Sequence, residues 1–483
     1  TPEGWIIAQA QTDYPTQHPR PGWAEQDPLD WWRGTVEVTR AVLADAPARP
    51  EQIVGIGVSG QGCAVTLIDQ KGEVIRPAII WMDMRSEAQS EHLRQCCEGE
   101  ILAQNGKQPA PYNADPVLLW LQEHEPDAIA AAKTSLTSTG YINFRLTGAA
   151  VENQSDASIL FAFDLAKGSW SEELIADFGL PRKLYPEVVP SSEIIGTLTA
   201  QAAAELGLNP GVPVVAGGED TSSAGLAIGV AEPGQALLSL GTAGTIYIVE
   251  DRPIVHPQLL AFLHVIPGQT LLGGSMTAVG AGLNWIRKLF GQEFDYIQLS
   301  EMARQSPPGA GGVLFLPYLS GELQPINDGN ARGVFFGLSM STTPSHMVRA
   351  VMEGAAFAVA HNIDIAGEAG SKITELRAVG GPTRSDLWCR IIANISGYPL
   401  TVLADNAGAP LGNTLLAAAG IGLIDDPAET ARKVARVSGK YEPNPRFRDR
   451  YVEMYAIYRQ LYPQLKEQFN ALAAIKDVHE DPA

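Results

Sequence analysis

A chain of 483 residues is too long for a single hydrophobic core, so its length predicts two large domains. The formal net charge of −20 disfavours nucleic acid and anionic membranes as partners, and no apolar run is long enough to span a membrane. The spacing of Cys63, Cys96, Cys97 and Cys389 fits neither a zinc site nor a disulfide framework. Residues 1–4 lack the features of a secretory signal, which predicts a cytoplasmic protein.

The first half of the chain alternates β-forming runs with amphipathic segments. Its pattern predicts strands at 5–10, 53–59, 64–68 and 210–218, a helix at 29–44, mostly helical structure over 86–178, and a small-residue helix from Asp220. This alternation indicates an α/β domain.

The composition changes at residues 231–234, Ala-Glu-Pro-Gly, where we place the boundary between an N-terminal domain (1–230) and a C-terminal domain (231–483). The second half predicts a hairpin at 236–249, a strand at 375–379, and helices at 345–366, 385–396 and from 449 onward. The two halves therefore indicate paired α/β domains.

Residues 55–60, Gly-Ile-Gly-Val-Ser-Gly, match the dinucleotide-binding pattern G-x-G-x-x-G. That pattern requires a helix directly after the last glycine, but residues 61–68 favour a strand. We therefore predict a glycine-rich strand segment whose backbone lies close to a small ligand.

Residues 217–222, Gly-Gly-Glu-Asp-Thr-Ser, form a predicted turn between a strand and a helix. From these residues alone, Asp220 has two interpretations. It can cap the helix that follows, which is the commoner role for such a residue. It can also be a general base, because ligands bind at the carboxyl ends of strands in α/β sheets.

Two more turns combine glycine with hydroxyl side chains at the ends of predicted strands. Residues 241–245, Gly-Thr-Ala-Gly-Thr, have either the composition of a phosphate-binding turn or that of an ordinary tight hairpin. Residues 380–385, Gly-Gly-Pro-Thr-Arg-Ser, allow close approach of a base or ribose, although an ordinary turn has the same composition. Asp83 and Arg85 are either a surface ion pair or a hydroxyl-binding carboxylate with its neighbour.

Together these segments resemble the FGGY family of carbohydrate kinases, over about residues 22–461. The most specific stretch is Gly-Val-Phe-Phe-Gly-Leu at 333–338, followed after seven residues by His-Met-Val-Arg-Ala-Val-Met-Glu at 346–353. Supporting stretches at 23–28, 239–244 and 315–322 are similar to xylulokinase-like members.

The resemblance implies a two-domain, actin-like (ribonuclease H-like) ATPase/sugar kinase fold with its active site between the domains. It implies that Asp220 is the catalytic aspartate and that ATP and Mg²⁺ are the cofactors. The expected substrate-binding residues are Gln61, Gly62, Cys63, Asp83, Tyr112 and Thr221. The expected nucleotide-binding residues are Gly241, Thr242, Thr245, Gly280, Asn284, Gly380, Gly381 and Ser385.

We therefore predict ATP-dependent phosphorylation of a small sugar or polyol, and the preferred substrate class is a pentulose of the xylulose type. A homodimer is expected as a family trait. Gly62 and Cys63 stand where xylulokinases have Met-His, and the Gly-Gln-Gly string at 60–62 is more like kinases for L-xylulose or erythritol. A kinase for erythritol or glycerol therefore stays open. The family's first strand and its Asp-x-Gly-Thr turn would lie before residue 1. The chain is accordingly expected to be either part of a longer kinase or a catalytically impaired, sugar-binding homologue.

Overall fold

The computed structural model describes residues 1, 3–46, 48–291, 294–404 and 408–475. Among these residues no helix is both long and apolar enough to cross a membrane.

The described residues form sixteen α-helices, which are numbered in chain order. They are α1 Pro28–Asp45, α2 Glu87–Asn105, α3 Ala114–His124, α4 Pro126–Ala131, α5 Ser138–Thr147, α6 Gln154–Ala157, α7 Glu172–Phe178, α8 Ala200–Leu206, α9 Asp220–Ala227, α10 Gly280–Phe290, α11 Tyr296–Arg304, α12 Pro344–Glu368, α13 Asp386–Ser396, α14 Ala409–Gly420, α15 Pro427–Val434 and α16 Arg448–Ala473.

The same residues form twenty β-strands, many of them short. They are β1 Glu25–Gln26, β2 Ile56–Gly57, β3 Thr66–Ile68, β4 Ala78–Ile79, β5 Thr134–Leu136, β6 Val151–Asn153, β7 Phe163–Asp164, β8 Ser169–Trp170, β9 Glu187–Val189, β10 Ile194–Thr197, β11 Pro213–Val215, β12 Gln235–Leu240, β13 Gly244–Glu250, β14 Leu260–Leu263, β15 Thr270–Met276, β16 Leu314–Leu316, β17 Val334–Phe336, β18 Glu375–Val379, β19 Leu400–Leu403 and β20 Val437–Tyr441.

The chain divides into two compact units. The first contains the described residues of Thr1–Glu232, Val249–Leu271 and Asn406–Ala435, and the second contains those of Pro233–Ile248, Leu272–Asp405 and Arg436–Ala483. The change from one unit to the other at 232/233 falls within the predicted boundary segment. Two later segments, however, pack with the first unit, so the division into 1–230 and 231–483 stays a prediction.

The first unit is centred on a small sheet with the strand order β10-β11-β2, in which β11 runs parallel to β2 and antiparallel to β10. Trp31 and Trp32 of α1 pack with Tyr141 of α5, Leu206 of α8 and Val214 of β11 in one buried apolar cluster. Helices α1, α5 and α8 therefore anchor the sheet that carries the glycine-rich segments.

Helix α14 explains why a late segment belongs to the first unit. A Cβ atom at Gly412 would lie 2.0 Å from the carbonyl oxygen of Ser223 in α9, and one at Gly57 would lie 2.4 Å from the carbonyl oxygen of Asn413. The helix thus touches both α9 and β2 at backbone distance, which only glycine allows at these two positions.

The second unit is built on the strands β15, β13, β12, β18, β19 and β20, in that order. Strands β12 and β13 form the predicted hairpin with Leu240 opposite Gly244, while β18 runs parallel to β12 with Val379 opposite Ser239. Helix α16 packs through Tyr451 and Tyr458 into a core with Phe357 of α12.

Most predicted elements are confirmed, including the strand at 375–379 and the helices at 29–44, 345–366 and 385–396, each within a few residues. The predicted strand at 5–10 is wrong, because residues 5–10 form neither strand nor helix. The predicted strands at 53–59 and 210–218 shrink to β2 and β11. The residues that follow each of these two strands lie in loops. The two segments approach each other there through Gly217, without adding further strand pairs to the β2–β11 ladder.

Candidate functional site

The carboxyl ends of β2 and β11 lie side by side in the first unit, because the two strands are parallel. The Gly218 N–H donates to the Val58 carbonyl at 3.2 Å, and Ser59 Oγ donates to the Gly218 carbonyl at 2.9 Å. Gly217 has a φ of +74°, and a Cβ there would lie 2.0 Å from the Val58 oxygen, so the close approach requires glycine. The two glycine-rich segments singled out in the sequence therefore form one edge.

Helix α9 begins at this edge, and its first residue is Asp220. The prediction that Asp220 could cap the helix is wrong: the N-cap is Glu219, whose carboxyl accepts the Ser222 N–H at 2.8 Å. Asp220 is exposed, and its Oδ1 accepts a hydrogen bond from Thr221 Oγ1 at 3.0 Å. Because the capping function is filled by its neighbour, the Asp220 carboxylate is accessible to a ligand.

No helix follows Gly60 directly, since residues 61–64 lie in a loop and turn that lead into β3. The rejection of the dinucleotide-binding pattern is therefore confirmed. In this loop Gln61 Nε2 donates to Gln26 Oε1 at 2.7 Å, and Gln26 Oε1 also accepts from Trp31 Nε1 at 2.9 Å. The Gln61 side chain is thereby held in place at the edge of the predicted sugar site.

Cys63 is buried with a φ of +57°, and its electrostatic neighbours are Tyr112, Lys107 and Glu219. Burial raises the pKa of the Cys63 thiol and that of the Tyr112 hydroxyl to about 12 each, so both groups are neutral at physiological pH. Burial lowers the pKa of Lys107 to about 7. Cys63 therefore lies near both Tyr112 and Glu219, and Gly62 is close to Glu219 as well, since an added Cβ there would lie 4.0 Å from Glu219 Cγ.

Asp83, in contrast, is part of a separate buried ion-pair network. It has no exposed surface, and it accepts hydrogen bonds from the Ala24 N–H and from the N–H, Nε and Nη2 of Arg85. Arg85 also pairs with Glu25 at 2.7 Å and stacks over Trp23 at 3.7 Å from the ring centroid. The surface ion-pair interpretation is wrong, and a substrate-binding role for Asp83 is disfavoured because its oxygens are already occupied.

Asp83→Asn is therefore expected to destabilise the protein by about 3 kcal/mol, because Arg85 keeps only Glu25 of its two buried carboxylate partners and the new amide nitrogen cannot accept the hydrogen bonds that the lost Asp83 oxygen accepted. Thermal unfolding measures this loss, and Glu172→Gln, which breaks the exposed pair with Arg182, is the matched control with a loss below about 0.5 kcal/mol. If Asp83→Asn unfolds like the wild type but has a raised KM for the sugar, Asp83 contacts substrate after all.

The second unit brings its predicted residues together at the end of the β12–β13 hairpin. The exposed turn Gly241–Ala243 is closed by the Gly241 N–H, which donates to the Ala243 carbonyl at 2.9 Å. Helix α10 begins against this turn, since the N–H groups of Gly280 and Ala281 donate to the carbonyls of Gly241 and Thr242, each at 2.9 Å. One turn further along α10 lies Asn284, and Thr245 lies half-buried in β13.

The end of β18 adjoins the same turn. Gly380 has a φ of +109°, and a Cβ there would lie 1.9 Å from the Leu240 carbonyl oxygen, so only glycine fits. Gly381 is exposed, with no atom within 4 Å of an added Cβ. Ser385 caps α13 through the Trp388 N–H at 3.2 Å and bonds Ser300 Oγ at 2.7 Å. The turn at 241–243 and the segment 380–385 thus form one exposed edge that can receive a ligand.

Residues 2–227 match the N-terminal domain, and residues 236–421 the C-terminal domain, of the FGGY family of carbohydrate kinases. The chain belongs to this family. It is 34% identical to the xylulose kinase of Escherichia coli (strain K12) over 86% of this chain and 85% of that protein. It is 30% identical to the glycerol kinase of Alkalilimnicola ehrlichii over 87% of this chain and 86% of that protein.

Among solved structures, the crystal structure of xylulose kinase from Rhodospirillum rubrum matches with a TM-score of 0.89 and 33% identity, covering 94% of this chain and 93% of that one. The predicted actin-like, two-domain α/β fold is confirmed, and the protein is a carbohydrate kinase.

Sequence reasoning missed two buried carboxyls of this kinase, Glu219 and Asp156, both beside Asp220. Glutamate is an uncommon N-cap, so the cap was assigned to the aspartate one residue later. The signal that was present is two consecutive acids, Glu219 and Asp220, at the start of a small-residue helix. Adjacent acids raise each other's pKa when one of them is buried, and such shifted groups are common at functional sites.

Proposed function

We propose that this kinase transfers the γ-phosphoryl group of ATP to a hydroxyl of a pentulose of the xylulose type. In this proposal the first unit binds the sugar through Gln61, Gly62, Cys63, Tyr112 and Thr221, and the second unit binds the nucleotide. Because the reaction consumes ATP, the cytoplasm is the proposed compartment. The homodimer stays a prediction.

The observation that carries the proposal is the exposed Asp220 carboxylate, which starts α9 without capping it. A hydroxyl becomes a better nucleophile when a carboxylate within hydrogen-bonding reach accepts its proton in the transition state. Thr221 Oγ1, bonded to Asp220 Oδ1, restricts the carboxylate to one orientation. Asp220 is therefore the proposed general base.

The nucleotide is assigned to the edge that contains Gly241, Thr242, Gly280, Gly380 and Gly381. An exposed turn with a hydroxyl side chain can bind phosphate oxygens, and two glycines at 380–381 leave room for the adenosine. Asn284 and Ser385 supply polar groups on the helices that begin at this edge, and Thr245 lies just past the turn.

Mg²⁺ is compatible with this donor set. Among the described residues no group of three or more His, Cys, Asp or Glu side chains is placed to hold a metal by itself. Kinase Mg²⁺ is bound chiefly by the nucleotide phosphates and by few protein ligands, so the hydroxyl-bearing turn at 241–243 fits a metal–nucleotide complex. When bound, the ion neutralises charge that develops on the transferred phosphoryl group.

The test is ADP release from Mg-ATP by the purified protein, measured across D-xylulose, L-xylulose, D-ribulose, erythritol, glycerol and gluconate. The highest kcat/KM is expected for a pentulose. A higher value for erythritol or glycerol would replace the pentulose assignment with the polyol alternative, to which the small residues Gly62 and Cys63 and the similarity to a glycerol kinase lend support. Sugar binding in calorimetry without turnover on any of these compounds would establish the catalytically impaired alternative.

A further inference from the structure

Glu219 is fixed more firmly than a helix cap requires. Its backbone N–H donates to Ser155 Oγ at 3.0 Å, and its carboxyl Oε2 accepts the Ser222 N–H at 2.8 Å. Only 5% of the residue is exposed. The side chain therefore occupies one position below the start of α9.

The Ser155 hydroxyl that receives this N–H is itself held by a side-chain network. Ser155 Oγ donates to Asn153 Oδ1 at 2.5 Å, and Asn153 Nδ2 donates to Asp156 Oδ2 at 2.6 Å. Asn153 and Asp156 are both buried. The short helix α6 and the residue before it thus set the position of Glu219, and through it the start of α9.

The Glu219 carboxyl lies among acidic groups, and the buried Lys107, which neighbours Cys63, donates to the carbonyls of Ser158 and Ala261. The titratable groups that face it are Asp220 beside it, Asp156 from α6 and Cys63 from the loop before β3. Helix α14, packed against α9, contains no titratable residue. His264, after β14, bonds the Val230 carbonyl through Nε2. Burial, followed by the negative charge of Asp220, raises the pKa of Glu219 well above its ordinary value, so the group keeps its proton.

A protonated carboxyl has one donor to place. Oε2 of Glu219 accepts the Ser222 N–H, and the Glu219 side chain lies within hydrogen-bonding reach of the Asp220 carboxylate, which can therefore accept the donor. We propose that Glu219 is a positioning residue for the reaction, a neutral acid that donates a hydrogen bond to the Asp220 carboxylate. This inference rests on the proposed function of Asp220 as the general base.

Two donors then hold Asp220, the Glu219 carboxyl and the Thr221 hydroxyl. They fix the carboxylate for the acceptor hydroxyl, and they stabilise its ionised form. The Glu219 proton stays on Glu219 throughout. The proton that moves is the one on the sugar hydroxyl, which passes to Asp220 as the oxygen–phosphorus bond forms and the bond to ADP breaks.

Two substitutions separate this function from capping. Glu219→Gln keeps both interactions, because the amide oxygen can accept the Ser222 N–H and the amide nitrogen can donate to Asp220. Glu219→Ser keeps a good helix cap but removes the donor to Asp220. Because a hydrogen bond to a charged group is a strong one, Glu219→Ser should lower kcat about 10-fold. It should also move the acidic limb of the kcat pH profile about 1 unit upward. The KM for sugar should change less than about 3-fold. Glu219→Gln should stay close to the wild type in both.

The pH profile also decides the charge of Glu219. If Glu219 were ionised, both substitutions would remove a negative charge beside Asp220 and move the acidic limb to lower pH, which would overturn the proposal. A lower unfolding temperature of Glu219→Ser with an unmoved limb would also overturn it, in favour of a purely structural role. A wild-type protein without turnover on any sugar would instead refute the proposed function, so the two failures are distinguishable.

Discussion

Asp220→Asn is expected to lower kcat at least about 10²-fold, because general-base catalysis by a positioned side chain typically contributes 10²- to 10⁴-fold. The amide keeps the size of the side chain and can still accept from Thr221 Oγ1, but it cannot take the proton of the acceptor hydroxyl. Steady-state ADP release measures kcat, and calorimetry measures sugar and nucleotide binding, which should both persist.

The matched control is Asp45→Asn, which removes another exposed carboxylate of the first unit, at the end of α1. It should leave kcat unchanged. A loss of less than 10²-fold in Asp220→Asn, or an equal loss in both variants, would show that Asp220 is not the base.

Gly412→Ala is expected to cost about 2–3 kcal/mol of stability and most of the activity. The added methyl group would lie 2.0 Å from the Ser223 carbonyl oxygen, which is backbone and cannot rotate away, so α14 and α9 must separate. Overpacking of this kind typically costs 1–3 kcal/mol. Since α9 begins with Asp220, its displacement also moves the proposed base. Thermal unfolding, hydrogen exchange of the α9 amides and kcat report these three effects.

Gly99→Ala is the control, because Gly99 is an exposed helical glycine of the same unit with no atom within 4 Å of an added Cβ. Its better helix propensity should raise stability by up to about 1 kcal/mol without affecting kcat. Unchanged α9 exchange and unchanged kcat in Gly412→Ala would contradict the proposed dependence of the site on α14.

The family, the fold class and the paired α/β halves could be predicted from the sequence, because they depend on periodicity and on long motifs such as 333–353. The helix starting at Asp220 and the hairpin around 241–244 were predicted for the same reason. These elements are local, so that a window of about ten residues contains their signal.

The remaining features depend on contacts between distant parts of the chain. Nothing near Gly412 indicates that its partner is Ser223, and the burial that keeps Glu219 protonated comes from α6 and from the loop at Cys63. The wrong prediction of a strand at 5–10 and the unforeseen ion pairing of Asp83 have the same cause, namely contacts with residues outside the local sequence. A β-forming run needs a neighbour to become a strand, and an acid between apolar residues shows its partners only after folding.

The first unit is built from three separate segments of the chain, which affects how it folds during translation. Val215 and Leu226 share an apolar cluster with Leu415 and Leu416 of α14. This core therefore lacks its packing partners from α14 until the ribosome has passed residue 420. At about 5–20 residues per second, on the order of 10–40 s pass between the synthesis of α9 and that of α14. During this interval its apolar surface is accessible to chaperones, and the first unit cannot complete its folding before α14 has been translated.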